Sequence, residues 1–480
     1  MSAQPLLVAG VDSSTQSTKV EIRRLDDGAV VAQASAPHPG TTPPRSEQDP
    51  AAWLQAFQTA WAEVGAPTVA AISIAGQQHG MVALDADGQV LRPAKLWNDT
   101  ESAPDAGWLR KQLADGAAGW AQAVGSVPTA SFTATKLSWL HRSEPEQWAR
   151  LAHVLLPHDW LTGQLARSFT TDRGDASGTG YWSPATGEYR WDLLSIIDRE
   201  RDWTDVVPRV ADPLEVVGTW QGAKVACGTG DNMGAALGLG ISTGRAVVSL
   251  GTSGTAFTVA DAPTADATGA VAGFADATGR FLPLVCTLNA TKVLNATARL
   301  LAVDRAGFDA LALAAPPGSG GLVLLPYLDG ERTPNLPSAT GVLAGIRSDV
   351  SREQLARAAV EGVVCGMLDA LDALRAHAPV TSVVLTGGGA RSAAVRQVFA
   401  DLCGLPVAVA TADEAVATGA CVQAAAVASG VTHHEVIDRW GLGDSTEVAT
   451  SGGDPAATAA TAAAVRNAYA ATRDAQYPPA

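Results

Sequence analysis

Two short turns, each rich in glycine or hydroxyl residues and each set between strand-like segments, restrict what this chain can fold into. They are DSSTQSTK at Asp12–Lys19 and LGTSGT at Leu250–Thr255. A turn with so little side-chain bulk leaves backbone N–H groups and Ser or Thr hydroxyls free to surround an oxyanion. The surroundings repeat as well. LLVAGV precedes the first turn, KVEIRRL follows it, and after Asp26-Asp27-Gly28 comes a third apolar run, AVVAQA. AVVSL precedes the second turn, TAFTV follows it, and GRFLPLV comes after a further turn. Each half reads as an antiparallel meander that opens an α/β domain. For either turn alone, an ordinary hairpin of small residues is an equally good reading. With Asp12 closing the first strand and Thr252 inside the second turn, the pair favours two half-molecules that hold opposite sides of one phosphate chain.

Length agrees with two halves. At 480 residues the chain exceeds what one core usually supports, which predicts an N-terminal domain over 1–243 and a C-terminal domain over 244–480. No apolar run reaches membrane-spanning length, and Leu6–Val11 is too short and lacks the basic flank of a signal peptide, so a cytoplasmic protein is expected. The five cysteines, Cys227, Cys286, Cys365, Cys403 and Cys421, are scattered without metal-ligand spacing and read as small apolar fillers in a reduced protein. A formal charge of −15 argues against nucleic acid, because that partner needs lysines and arginines to neutralise phosphates. It leaves a nucleotide open, since backbone donors and a metal ion can hold a triphosphate on an acidic protein.

Two segments follow the strand, glycine turn, helix order that puts chemistry at strand ends. In KVACGTGDNMGAALGLG a short strand ends at Ala226 and Asp231 stands where a helix begins. Asp231 reads either as a helix N-cap or as a functional carboxylate that Gly230 and Gly234 leave approachable. The third glycine falls one residue late for the dinucleotide fingerprint, which excludes a Rossmann site. In SVVLTGGGARS, Val383–Leu385 read as a buried strand and Gly387–Gly389 as either a sharp turn or a flat backbone wall for a ligand. Upstream, Ser351 and Gln354 form a capping box for a helix with an apolar stripe from Leu355 to Leu374, which is core. Gln77, Gln78 and His79 follow the strand VAAISI. They are either satisfied loop residues or the neutral donors and acceptors that grip a polyol. Trp97 in WND reads either as a plane for a sugar's CH face or as one of thirteen tryptophans filling the core. The tail from about Ser451, rich in Ala and Thr, reads as a final helix or a frayed end.

Taken in order, VDSSTQSTK, SEQDP, GQQHG, LWND, FTATKLSWL, LLPHDWLTG, TDRGDASGT, GTGDNMGAALG, LGTSGT, LPYLDGERTP, LTGGGARS and EAVATGA resemble the FGGY family of carbohydrate kinases over nearly the whole chain. The resemblance implies an α/β fold of two actin-like or ribonuclease-H-like ATPase domains with a cleft between them. It also implies transfer of phosphate from ATP to D-xylulose, giving D-xylulose 5-phosphate, with Mg²⁺ as cofactor. By matched position, Asp231 is implied as catalytic base, and Gln78, His79, Trp97, Asp231 and Asn232 as the ketose site. Asp12 and Asp231 are implied at the metal. Asp12, Thr15, Ser17 and Lys19 are implied in the first phosphate turn, Thr252, Ser253 and Gly254 in the second, and Gly387, Gly388, Gly389 and Ala390 in the nucleotide wall. The GERTP of Gly330–Pro334 is implied to lie near the cleft.

The partners implied are the sugar and ATP, with neither nucleic acid nor membrane, and a homodimer is compatible with the family. There are two departures from its pattern. Ser14 replaces a usual glycine, and Glu101 stands where a basic residue usually follows WND. A carboxyl near about 3.9 is too weak to deprotonate a sugar hydroxyl in advance, so Asp231 is expected to accept its proton late. Two other readings remain open: a family member acting on ribulose, gluconate or glycerol, and an actin- or chaperone-like nucleotide switch.

Overall fold

The alternation around the first turn folds as an antiparallel hairpin, β1 (Leu7–Ser13) against β2 (Ser17–Arg24), followed by β3 (Val30–Pro37). The structure, a computed structural model, describes residues 5–452 and 454–478. It divides into two compact units. Unit 1 takes the residues up to Ile241 with Ala260–Leu282 and Glu414–Gly443; unit 2 takes Ser242–Val259, Pro283–Asp413 and the residues from Asp444 onward.

In unit 1 the meander continues on the far side of β1 with parallel β4 (Ala71–Gly76). The sheet is completed by β5 (Val216–Trp220), β6 (Ala223–Ala226) and the short β7 (Thr229–Gly230), giving the order β5-β6-β4-β1-β2-β3 with β7 also paired to β4. Both β1 and β4 are almost wholly buried, as expected of central parallel strands covered on both faces. One covering element is α1 (Pro50–Glu63), opened by Pro50 at its first position and by the Asp49 side chain accepting from Ala51 N. Its Trp53, Phe57 and Trp61 pack with Val11, Ile22 and Ile72 in one core. Further helices of unit 1 are α2 (Pro157–Ala166), the one-turn α3 (Arg173–Ala176) and α4 (Asp231–Gly238).

Unit 2 repeats the plan. Strands β8 (Gly244–Leu250), β9 (Gly254–Thr258) and β10 (Phe281–Thr287) form an antiparallel meander. Parallel β11 (Val380–Thr386) and β12 (Val407–Ala410) join the far side of β8. The edge strand Ser445–Glu447 pairs antiparallel to β12. Around this sheet lie α5 (Thr291–Leu300), α6 (Arg305–Ala314), α7 (Arg352–Arg375) and α8 (Ala393–Cys403). The capping box at Ser351 and Gln354 opens α7, and Ala359, Val363, Met367, Leu371 and Leu374 are buried. Both units therefore have the three-strand meander and parallel continuation of actin-like domains. The tail is a helix, Pro455–Gln476, capped by Asp454. All five cysteines are free, four of them buried.

One further helix of unit 1 comes from late in the chain. It is α9 (Ala415–Ser429), built almost entirely of small residues and buried on nearly every side. Glycines make room for it. A Cβ at Gly10 would stand 2.5 Å from Cys421 N, and one at Gly234 would press on Ala75 and Val416. A Cβ at Gly419 would overlap the carbonyl oxygen of Gly234. The sequence reading gave Gly234 the task of leaving Asp231 approachable, but its open side is filled by α9. The glutamine of α9 completes the seam, with Gln423 accepting from Ser73 Oγ at 2.8 Å and donating to Gly228 O at 3.1 Å.

Gly419→Ala is expected to lower stability by about 1–3 kcal/mol, read as a fall in thermal midpoint. Gly107→Ala, in a helix with nothing within 4 Å of the added carbon, is expected to leave the midpoint unchanged or slightly raised. Equal effects of the two would show that the α4–α9 crossing is not tightly packed.

Candidate active site

Parallel register gathers the polar residues of unit 1 at neighbouring strand ends. Asp12 lies beside Ala75, Ser13 beside Gly76, and Gly230 of β7 beside Gly76 on the other flank of β4. Asp12 closes β1, Gln77, Gln78 and His79 follow β4, and Asp231 follows β7. These side chains emerge at the carboxyl ends of three adjacent strands, the usual place for chemistry in such sheets.

Asp231 is the first residue of α4. The N-cap is Gly230, so Asp231 is not the capping residue. Its carboxylate instead joins a short chain in which Asn232 Nδ2 donates to Asp231 Oδ1 at 2.9 Å and to Gln78 Oε1 at 2.8 Å. A Cβ at Gly230 would stand 2.7 Å from Gln78, so only glycine lets that side chain lie against the turn. His79 adopts a left-handed backbone, φ 66°. That conformation strains a non-glycine residue and is held from several sides. Its N–H donates to Asp175 Oδ1 at 3.3 Å, its carbonyl accepts from Thr133 Oγ1 at 3.1 Å, and its ring packs on Phe132 and Phe274.

The two carboxyls repel. Burial, and then the charge of Asp12, pushes Asp231 up to about 7. Burial also pushes Asp12 up to about 6, against the opposing pull of the Ser14 hydroxyl and Lys19. Asp231 is therefore not the ordinary carboxyl assumed from sequence. The Ser14 hydroxyl donates to Asp12, so the residue that replaces the family's glycine is bonded to the carboxylate. Lys19, opposite Asp12 in the hairpin, is ion-paired with Glu414.

Trp97 lies half-buried against the first turn, its indole N–H donating to Thr15 Oγ1 at 2.9 Å. Gln48 Nε2 braces the same residue by donating to Thr15 O at 3.0 Å. Sequence reading missed this role of SEQDP, because the bond joins positions far apart in the chain. Ser17 begins β2 and is half-buried. Behind Trp97, fully buried Lys95 lies 2.6 Å from Glu101, 2.9 Å from Asp99 and 3.1 Å from Glu47, with the Trp139 ring beneath it. Among the described residues these three carboxylates form the group spaced to hold a metal ion, and the ammonium already stands among them, with Arg92 also 2.6 Å from Glu47. The second departure, Glu101, is thus one wall of a lysine cage and also pairs with Arg45 at 3.3 Å.

In unit 2 the second turn is fastened to the start of α5. Ala290 N donates to Thr252 O at 3.1 Å and Thr291 Oγ1 to Gly251 O at 2.7 Å. Thr252 is exposed and Ser253 half-buried, whereas Gly254 is packed so that a Cβ would strike Met367 and Thr287. The triglycine meets this turn. Gly387 and Gly389 abut Leu250, Ala390 is buried, and Gly388 faces open space. That space is a cavity of about 420 Å³ lined by Thr291, Leu294, Ala298, Val303, Phe308 and Gly388 among others. Its α5 and α6 walls carry no motif, and sequence reading did not find them. Glu331 of GERTP braces the approach, accepting from Leu288 N at 2.5 Å and Asn289 Nδ2 at 2.8 Å.

Known proteins share this architecture. The models for the N-terminal and C-terminal domains of the FGGY family of carbohydrate kinases match residues 7–239 and 246–428. The xylulose kinase of Streptomyces coelicolor is 47% identical over 451 residues, 91% of each chain. The crystal structure of xylulose kinase from Bifidobacterium adolescentis superposes with a TM-score of 0.84 at 39% identity, covering 98% of this chain and 99% of that one. A gluconate kinase from Lactobacillus acidophilus reaches a TM-score of 0.89 at only 23% identity, over 98% of both chains, so the fold by itself does not choose the sugar. Domain models that span both units, and relatives alike over nearly their whole length, establish that this chain belongs to the FGGY family of carbohydrate kinases.

Proposed function

We propose that the chain transfers the γ-phosphoryl group of ATP to D-xylulose, forming D-xylulose 5-phosphate and ADP. The observation that carries this reading is Asp231, a carboxylate at a strand end that is not the helix N-cap, is linked through Asn232 to Gln78, and is pushed up to about 7. The 47% identity to a xylulose kinase favours the pentulose as acceptor.

In this mechanism Gln78, His79 and Asn232 bind the ketose and Asp231 orients its terminal hydroxyl. As the oxygen–phosphorus bond forms and the bond to the leaving diphosphate breaks, the hydroxyl proton passes to Asp231. A carboxyl raised towards neutrality is a better late acceptor than an ordinary one, and it is still too weak to make the alkoxide beforehand. Thr15, Ser17 and Lys19 serve the phosphates from the first turn, and Thr252, Ser253 and Gly254 from the second. Trp97 contributes by holding Thr15 as well as by any contact with the sugar. Gly387–Gly389 and Ala390 form the nucleotide wall, and the neighbouring cavity, apolar at Leu294, Ala298 and Phe308 and polar at Asn295, Arg299 and Asp309, suits the nucleoside. In this proposal residues 1–243 carry sugar and base, residues 244–480 carry nucleotide, and the reaction belongs in the cytoplasm.

Asp12 and Asp231 fit a divalent cation, since two closely placed carboxyls raised by burial and, at Asp231, by mutual charge form an anionic oxygen donor set. They would hold Mg²⁺, which when bound screens the charge of the polyphosphate.

ADP release is expected to require D-xylulose and to be slower with ribulose, gluconate or glycerol. A faster rate on one of these reassigns the acceptor, and release driven by peptide or filament instead of sugar points to a nucleotide switch. Asp231→Asn is expected to lower kcat by roughly 10²- to 10⁴-fold, with sugar and nucleotide still binding in calorimetry. Near-normal kcat would sink the base assignment.

His79→Ala is expected to weaken ketose binding at least about tenfold while ATP affinity stays within twofold. The reverse pattern would exchange the two sites.

Because folding raises the pKa of Asp12 from 3.8 to about 6, the folded chain holds a proton there that the unfolded chain has lost, and stability falls as pH rises through that interval. Asp12→Asn is therefore expected to raise stability at pH 8 by roughly 1–3 kcal/mol in urea melts. The gain should shrink as pH falls through 6 towards 4. A pH-independent difference would remove the charge explanation.

A further inference from the structure

The mechanism leaves unused a buried polar cluster in unit 1 whose centre is His158. The residue is fully buried on the first turn of α2. Its Nε2 lies 3.1 Å from Asp172 Oδ1, 3.2 Å from Asp159 Oδ1 and 3.5 Å from Asp175 Oδ2. Burial opposes charge on the ring, but the three carboxyls outweigh it and push His158 up to about 9, so it is an imidazolium at neutral pH. Three carboxyls crowd one cation in a dry place, and burial first, then the charges of Asp159 and Asp172, raise Asp175 well above an ordinary carboxyl against the pull of His158.

Each neighbouring carboxyl holds something else. Asp159 Oδ2 accepts from Leu156 N at 2.8 Å and so fixes the start of α2. Asp172 caps α3, accepting from Gly174 N at 2.8 Å and Asp175 N at 3.0 Å, and it also accepts from Thr229 Oγ1 at 2.9 Å. Thr229 is two residues before Asp231. Asp175 Oδ1 accepts the backbone N–H of His79, the residue with the strained left-handed backbone. From one ring, therefore, one branch reaches the turn that carries the carboxylate and another reaches the turn that follows β4. Glycines admit the ring to both places. A Cβ at Gly76 would stand 2.9 Å from His158 Cβ, and one at Gly228 would stand 2.9 Å from His158 Nδ1.

We propose that His158 is a positioning residue for phosphoryl transfer, a buried hub that sets the Asp231 turn through Asp172 and Thr229 and the His79 turn through Asp175. The proposal rests on the kinase reading above for what the two turns do. The placement of the turns is a property of the free protein and can be measured without turnover. Removing the cation leaves carboxyls uncompensated, and one network then releases two turns together.

The test uses the full chain and three variants, His158→Gln, Thr229→Val and Thr229→Ser, with hydrogen exchange followed by mass spectrometry in the absence of substrates. His158→Gln is expected to speed amide exchange at least tenfold both at 76–80 and at 228–232, with α7 of unit 2 unchanged. Wild-type exchange in either segment overturns the proposal. Should His158→Gln fail to fold, Thr229→Val carries the test, since it removes one hydroxyl at nearly constant volume. Faster exchange at 228–232 that Thr229→Ser restores upholds the hub, and wild-type exchange in Thr229→Val overturns it. Kinetics add a second reading. In His158→Gln the KM for D-xylulose is expected to rise about tenfold with the KM for ATP within twofold, whereas equal rises in both overturn the positioning role. A wild type that shows no sugar-dependent ADP release defeats the kinase reading instead, and the exchange results still decide whether His158 governs the two turns.

Discussion

The parallel pairing of β4 with β1 on one side and with β7 on the other is the constraint from which the rest of unit 1 follows. Strand neighbours lie less than about 5 Å apart, so residues that leave three adjacent strands at matched register must crowd together. Asp12, the Gln77–His79 turn and Asp231 do so, although the sequence separates the first from the last by more than two hundred residues. Burying two carboxyls costs stability, and the raised pKa values of both express that cost, to which the charge of Asp12 adds at Asp231. A fold retains such a cost when the same charges have work to do on a ligand.

The surroundings of these strand ends are built to resist movement. Thr15 is held at its hydroxyl by Trp97 and at its carbonyl by Gln48, while Gln78 lies in the space that the missing side chain of Gly230 leaves. Unit 2 shows the same economy, its second turn fastened by Ala290 and Thr291 and its triglycine pressed on Leu250. In both units the small residues serve mainly to bring backbone against backbone. Gly388 is the member of the triglycine that faces open space.

Much of this was legible in the sequence. The two meanders followed from apolar alternation on either side of turn residues, the helix after Ala226 from its glycine turn, and α7 from the Ser351–Gln354 capping box. These are local signals, and local signals survive folding. What could not be read depends on partners distant in the chain. Trp97 looked like a sugar platform or a core filler because its bond to Thr15 spans eighty-two positions. The His158 cluster draws on LLPHDWLTG and TDRGDASGT, each with an unexplained histidine or aspartate, and only tertiary structure joins them. Asp231 looked like a carboxyl of ordinary strength since nothing near it in sequence announces Asp12. The cavity beside Gly388 is lined by both apolar and polar residues of α5 and α6, and the spacing of Leu294, Ala298 and Phe308 also suits a plain core.

The late origin of α9 bears on how the molecule is made. Unit 1 begins with the first strand, yet it is complete only once Glu414–Gly443 has been synthesised. Until then the groove along Gly10 lacks its occupant, and Ser73 and the carbonyl of Gly228 lack Gln423. On the ribosome the sheet of β1–β4 must therefore wait, its apolar flank uncovered, until residues 414–443 have been translated. Segments about four hundred residues apart are tied to one folding event, and a break between them would separate a sheet from its own helix.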